Sequence, residues 1–188
     1  MKTVNPKNNG ISAVIKHLLK EYGIYVLLMV CVLYIVPHFI VQRTIIDGSS
    51  MENTFMDGDQ LLVEKVTKYV IEYDRFDIIV FQPDYVAADG QFIKRIIGLP
   101  GETVQITEGQ IYINGEVLAE QFGKTPIDNA GIAAEPVTLG TDEYFVLGDN
   151  REISLDSRYE VIGPVKQNQI EGRVILQIYP FSRFGTVE

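Results

Sequence analysis

Three patterns of apolar and polar residues succeed one another along the chain. The first is a helical stripe. In "ISAVIKHLLKEYG" the residues Ile11, Val14, Ile15, Leu18 and Leu19 recur at three- and four-residue spacing, while Lys16, His17 and Lys20 fall elsewhere. That spacing predicts a helix, either amphipathic and lying at a membrane surface or a plain cytoplasmic one. The second pattern is continuous. Tyr22 to Gln42, "YGIYVLLMVCVLYIVPHFIVQ", carries no charge between Glu21 and Arg43. At about 1.5 Å of rise per residue it matches the roughly 30 Å core of a bilayer. It predicts a transmembrane helix over 22–42, kinked at Pro37 near its outer end. The run is too long for a usual signal-peptide core, and no small-x-small cleavage site follows it. An uncleaved anchor is therefore expected.

The third pattern starts at about residue 43 and is one of β structure. "QLLVEKV", "FDIIVFQ", "QFIKRII", "TVQIT", "QIYING", "EYFVLG" and "RVILQIY" are short runs rich in Val, Ile, Phe and Tyr. Turn formers separate them: Asp57-Gly58-Asp59, Pro83-Asp84, Asp89-Gly90, Pro100-Gly101, Glu108-Gly109, Asn114-Gly115 and Gly148-Asp149-Asn150. "QITEGQIYINGEVL" reads as paired tight hairpins, with Asn114-Gly115 the strongest turn signal. No helical segment separates the strands, so parallel βαβ winding is not expected. The body is predicted to be mainly β, an antiparallel sandwich or partial barrel. Residues 119–141 read as a loose Gly-, Pro- and Ala-rich loop with an accessory or substrate-facing role. The organisation expected is a cytoplasmic segment over 1–21, a transmembrane helix over 22–42 and an extracytoplasmic domain over 43–188. Within that domain, about 103–141 would form an inserted hairpin and loop cap.

Charge sharpens the orientation. Residues 1–43 hold five basic residues against Glu21, whereas the remainder holds 11 basic and 24 acidic residues. A basic head before an apolar run places the N-terminus in the cytoplasm and the body outside. The acidic body repels phosphates, so nucleic acid is not an expected partner. Cys31 is the only cysteine, so no intramolecular disulfide can form. The two histidines, His17 and His38, lie in or beside the N-terminal region. A histidine-based triad or a histidine-ligated zinc in the body is thereby excluded.

That exclusion bears on "DGSSMENTF", Asp47 to Phe55, a few residues beyond the apolar run. A serine nucleophile needs a base. Without histidine, the candidates are lysine and the carboxylates. A lysine serves if burial disfavours its ammonium form. In "QFIKRIIGLPGE", strand alternation puts Phe92, Lys94 and Ile96 on one face and Ile93, Arg95 and Ile97 on the other. Two readings are open: Lys94 buried between large apolar neighbours, or Lys94 in solvent with Arg95 buried and paired. The stretch "GDNREISLDSR", Gly148 to Arg158, is either a polar surface loop with local ion pairs or a set of groups that orient a lysine and brace the loop.

Together, "GSSMENTFMDGD", "FIKRIIGLPGE" and "LGDNREISLDSR", in this order after an anchor, resemble the boxes of type I signal peptidases. These are membrane-anchored Ser-Lys serine endopeptidases that remove signal peptides from exported preproteins. The resemblance covers the anchor and most of the body. It implies an all-β catalytic domain, Ser50 as nucleophile and Lys94 as general base, with no metal or cofactor. It implies that Ser154 orients the lysine, that Asp156 and Arg158 brace the loop, and that Asp149 pairs with Arg95. It further implies oxyanion binding by the Ser50 backbone and the Gly48 region, and a substrate pocket shaped by Met51, Ile46 and Phe92. The partners implied are preprotein signal peptides, membrane lipid and the protein export channel, at the plasma membrane with a single pass.

Three positions depart from the family pattern. Asn53 stands where proline is usual, which is expected to loosen a rigid turn without removing a reactive group; Ile153 stands where asparagine is common, and Gly48 where some members carry a serine hydroxyl for the oxyanion. Asn53 leaves room for an alternative, a narrow-substrate or pilin-type signal peptidase. A non-catalytic, membrane-anchored interaction module of the same fold is a further alternative, against which Ser50, Lys94 and Ser154 together speak. A self-cleaving repressor-type Ser-Lys protease would carry a DNA-binding domain and no anchor.

Overall fold

The computed structural model describes residues 7–69, 72–84, 90–123 and 125–187. The chain forms two compact units, Met1–Ile40 and Val41–Glu188.

The first unit is helical. Helix α1, Lys7–Val30, is followed by a wider, π-helical segment, Cys31–Ile40. No proline falls between Lys7 and Val30, so nothing in the backbone interrupts α1. Pro37 falls in the wider segment, where its missing N–H removes one helical hydrogen bond. The side chains of Ile11, Val14, Ile15, Leu18, Leu19 and Pro37, on which the stripe and the kink were predicted, lie outside the described ones. Among the described residues, no helix is long and apolar enough to cross a membrane. The 22–42 stretch is divided instead: Tyr22 to Val30 finish α1, Cys31–Ile40 form the wider segment, and Val41 and Gln42 open the first strand.

The second unit is built on antiparallel sheets. Its strands are β1 Val41–Ile45, β2 Gln60–Glu64, β3 Ile78–Phe81, β4 Phe92–Gly98, β5 Thr103–Thr107, β6 Gln110–Ile113, β7 Glu116–Val117, β8 Val137–Thr138, β9 Glu143–Leu147, β10 Val165–Lys166, β11 Ile170–Tyr179 and β12 Gly185–Thr186. Among the described residues, an eight-stranded sheet runs β1-β2-β11-β3-β4-β9-β10 with β12 added on β11, and a four-stranded sheet runs β7-β6-β5-β8. Each of the predicted β runs contains a strand. The strand β1 was not predicted, because its first residues complete the apolar run in sequence. In the fold, Val41 and Gln42 pair with Glu64 and Val63. The hairpin turns have the backbone their sequences demand: φ is positive at Glu108 (52°), Gly109 (74°), Asn114 (52°) and Gly115 (86°), as two-residue hairpin loops require.

The run "IIVF" of β3 is buried at every position because both faces of the large sheet are covered. Ile78 and Val80 pack with Ile46, Met51, Phe55, Leu61, Val63 and Val174. Ile79 and Phe81 pack with Tyr73, Ile96, Tyr144, Val146, Val165 and Ile170. A third cluster joins the small sheet to β4 and β9 through Ile97, Val104, Ile106, Ile111, Phe145 and Leu147. Residues 119–141 are not the loose loop that was expected. Ile127, Ala133 and Leu139 are buried in that third cluster, and β8 pairs with β5. Ala133, fully buried, lets the short helical turn Gly131–Ala134 lie close on the small sheet. The proposed turn at Asp89-Gly90 falls partly outside the described residues.

Candidate active site

The loop between β1 and β2 is closed at its base by two backbone bonds, Ile46 N–H to Asp59 C=O at 2.8 Å and Gly58 N–H to Ile46 C=O at 3.0 Å. Within it, Met51 C=O accepts from both Thr54 and Phe55 N–H. Met51 and Phe55 sink into the core, which leaves Ser50 half-buried at the loop's rim. Asn53 has φ of 99°, a left-handed conformation that asparagine tolerates and proline, held near −65°, cannot adopt. Its Nδ2 donates to Asp149 C=O at 3.2 Å. The departure from the family's proline thus supplies a tether rather than a loosened turn.

Lys94 sits mid-strand in β4, buried at 3% exposure. Its Nζ is 2.8 Å from Ser50 Oγ and 3.0 Å from Ile93 C=O. The Phe92 ring centre lies 5.3 Å from Nζ. Burial lowers the Lys94 pKa from 10.5 to about 8, against the opposing pull of the Asp156 and Asp149 carboxylates. The sequence left two readings of this strand, and both burials occur together: Arg95 is also fully buried, and it is paired.

Arg95 donates from Nε to Asp149 Oδ1 at 3.0 Å and from Nη2 to Oδ2 at 2.8 Å. Its Nη1 donates to Phe76 C=O at 2.9 Å, and its guanidinium stands 3.6 Å from the Phe122 ring centre. Arg158 holds Asp156 in the same two-pronged way, Nε to Oδ1 at 2.8 Å and Nη2 to Oδ2 at 3.0 Å. Asp156 Oδ2 also accepts from Gly148 N–H at 3.1 Å. The two pairs bracket the turn that opens at Gly148. This turn reaches Ser50 directly, because Asn150 N–H donates to Ser50 C=O at 3.1 Å. A Cβ at Gly148 would overlap Ser154 Oγ and Ser50 O, so the close approach requires glycine there.

Two expected roles are not matched by hydrogen bonds. Ser154 is buried against Gly148, and its Oγ has no hydrogen-bond partner among the described residues. Gly48 N–H donates to Asp57 Oδ1 at 2.8 Å, so that donor is already engaged. Of the oxyanion donors named from the sequence, the Ser50 N–H is the one left.

A cleft of about 570 Å³ opens over Ser50 and Lys94. Ile46, Met51 and Phe92, the expected pocket residues, all line it, with Ile45, Ile93, Ile153 and Leu155. Ile153, 58% exposed, therefore puts an apolar side chain on the rim where an asparagine is common. A hydroxyl against a buried, deprotonatable amine, at the foot of a cleft of mixed polar and apolar lining, can carry out acyl transfer. Among the described residues, no His, Cys, Asp and Glu cluster could hold a metal ion.

Comparison with known proteins gives the relatives of this chain. The family described as "Signal peptidase, peptidase S26" matches residues 19–179. The chain belongs to this family. It is 34% identical over 168 residues to "Signal peptidase I" of Bacillus amyloliquefaciens, an alignment covering 86% of each chain. It is 33% identical over 169 residues to "Signal peptidase I T" of Bacillus subtilis, again covering 86% of each. A solved signal peptidase I from Enterococcus faecalis is 37% identical, with 54% of this chain and 96% of that one covered at a TM-score of 0.45. Membership in the signal peptidase family makes the chain a serine endopeptidase.

Sequence reasoning missed four residues that support the cleft. Thr54 lies inside the first box, and its Oγ1 donates to Asp149 Oδ2. Arg151 lies inside the third box, and only its position among acids and turn formers could have drawn notice. Glu120 and Phe122 carry no signal in a Gly- and Pro-rich segment, since their partners are about 30 residues distant.

Proposed function

We propose that the chain is a membrane-attached endopeptidase that removes signal peptides from exported preproteins with a Ser50-Lys94 dyad. The observation that carries this reading is the 2.8 Å approach of Lys94 Nζ to Ser50 Oγ, with Lys94 buried and its pKa near 8. A substantial fraction of the amine is then neutral at physiological pH, so it can accept a proton.

In this mechanism Ser50 Oγ attacks the carbonyl carbon of the residue before the cut, and its proton passes to Lys94 Nζ. The negative charge that develops on the carbonyl oxygen is stabilised by the Ser50 N–H. Collapse of the tetrahedral intermediate breaks the C–N bond, and the Lys94 ammonium returns its proton to the leaving amine. Water then attacks the acyl-Ser50 ester and gives a proton to Lys94; the C–Oγ bond breaks, Lys94 returns that proton to Ser50 Oγ, and the acid product leaves. The apolar part of the cleft wall, with Ile46 and Met51, accepts small side chains before the cut and rejects large ones sterically.

Membrane attachment is supported by the exposed apolar surface of the helical unit. Tyr22, Ile24, Tyr25, Val26, Leu27, Leu28, Met29, Val30, Val32, Leu33 and Tyr34 are each more than half exposed. A surface of that extent is costly in water and favourable in lipid. The basic head places the N-terminus in the cytoplasm and the body outside. Detergent-solubilised protein incubated with a model preprotein, with mass spectrometry of the new ends, tests the proposal. Cleavage after a small-x-small triplet, lost in Ser50→Ala and Lys94→Ala, is expected. Retained cleavage in either variant would falsify the dyad.

A further inference from the structure

Two arginines support the turn behind Ser50, and one short segment distant in sequence holds both. Glu120 takes Arg151 end-on: Nη1 lies 2.7 Å from Oε1 and Nη2 donates to Oε2 at 2.7 Å. The pair is nearly sealed, with side-chain exposures of 1% for Arg151 and 12% for Glu120. A Cβ at Gly123 would lie 2.9 Å from the Arg151 guanidinium carbon, so the segment lies flat on that side chain. Phe122, between them, stacks on the Arg95 guanidinium at 3.6 Å and leans on Phe76, ring centres 5.1 Å apart.

Both arginines act on the turn that reaches Ser50. Arg151 Nε donates to Gly148 C=O at 2.9 Å. Arg95 holds Asp149 and follows Lys94 in β4. The turn they fix carries Asn150, whose N–H holds Ser50 C=O at 3.1 Å. Holding that carbonyl restricts ψ of Ser50 and so the direction from which Oγ meets Lys94.

We propose that Glu120 and Phe122 form a clamp that positions the Ser50-Lys94 pair through Arg151 and Arg95. This deepens the reading given above and rests on it. The segment is a positioning element rather than a substrate-facing loop. A bidentate ion pair at 1% exposure leaves a buried charge without its partner when one side is removed, so the turn shifts. A displacement of reacting groups by even 1 Å can cost as much as about a hundredfold in rate.

The test uses the full chain in detergent, with kcat expressed per active serine titrated by an acylating probe. Glu120→Ala and Phe122→Ala are expected to lower kcat about tenfold each, with KM within about twofold. Phe122→Tyr, which keeps the ring face, is expected to recover most of the loss, whereas Glu120→Gln, which keeps one acceptor but neither the charge nor the two-pronged contact, is expected to recover little. A residue that only supports the fold would reduce the number of titratable sites and leave kcat per site unchanged. Should either alanine variant fail to fold, Arg151→Lys keeps the test alive, because it retains the charge but loses the two-pronged contact; about a tenfold fall in kcat is expected there too. Wild-type kcat per site in the folded variants overturns the clamp. Cleavage that persists in Ser50→Ala overturns the dyad itself, and the clamp with it, so the two failures are distinguishable.

Discussion

Lys94 and Arg95 are neighbours on one strand, both cationic in water and both buried, yet they meet opposite fates. Arg95 reaches a carboxylate that grips it with two hydrogen bonds, accepted by Asp149 at 3.0 and 2.8 Å. That pairing offsets the guanidinium's loss of water. Lys94 faces a hydroxyl and a carbonyl, which are neutral. Its charge is disfavoured, and its pKa falls to about 8. Burial alone therefore does not determine chemistry: the first partner decides whether a cation becomes a brace or a base.

The strongest way to break this contrast is to remove each partner of the neutral pair. Ser50→Ala and Lys94→Ala are expected to reduce cleavage of a preprotein by roughly 10⁴-fold or more, since members of one catalytic unit fail together. Their urea unfolding midpoints should stay near or above that of the parent. On the braced side the effect should fall on stability instead. Asp149→Ala leaves the Arg95 cation buried without its carboxylate, and a loss of about 3–5 kcal/mol in unfolding free energy is expected. Equilibrium denaturation measures it; an unchanged midpoint would mean that the pair is not a brace.

Lys94→Met sharpens the comparison further. From 10.5 in the unfolded chain the pKa falls to about 8 in the folded one. Between those values the unfolded chain holds a proton that the folded one has released, so stability rises with pH across that window and the penalty is fully present below it. Removing the amine should then stabilise the protein at pH 7 by roughly 1–3 kcal/mol. The same shift sets activity: kcat/KM should rise about tenfold per pH unit below 8 and level off above it. A profile flat from pH 6 to 9 would show that Lys94 is not the base. The smallest effect is expected at Ser154. Its hydroxyl is buried with no hydrogen-bond partner among the described residues, so Ser154→Ala should change stability by less than about 0.5 kcal/mol. A larger loss, read by thermal unfolding, would mean that the hydroxyl has a partner in solution.

Much of the body was legible in the sequence, for identifiable reasons. "TVQIT", "EG", "QIYI" and "NG" predict two hairpins because alternation and positive-φ turn residues are local properties. "IIVF" read as a strand, although only the two-faced core explains why it is apolar throughout. The ends of elements were less legible. Val41 and Gln42 are as apolar or uncharged as the residues before them, and only their pairing with β2 makes them strand. Ser50 and Lys94 were identified from the absence of body histidines and from the family boxes, while Asn53 was misjudged as a loosening. Its left-handed backbone and its bond to Asp149 are features of the folded loop.

Residue order by itself determined the division into an apolar head and an acidic β body, the antiparallel turns and the short list of groups able to act as nucleophile or base. These follow from periodicity, turn chemistry and composition, which act over a few residues. Tertiary structure alone decided that Lys94 meets Ser50 across 44 positions at 2.8 Å, and that Arg95 is paired while Lys94 is not. It alone brought Glu120 and Phe122 behind the site. The reason is physical: desolvation and pairing depend on what surrounds a charge in space, and no spacing along the chain encodes that.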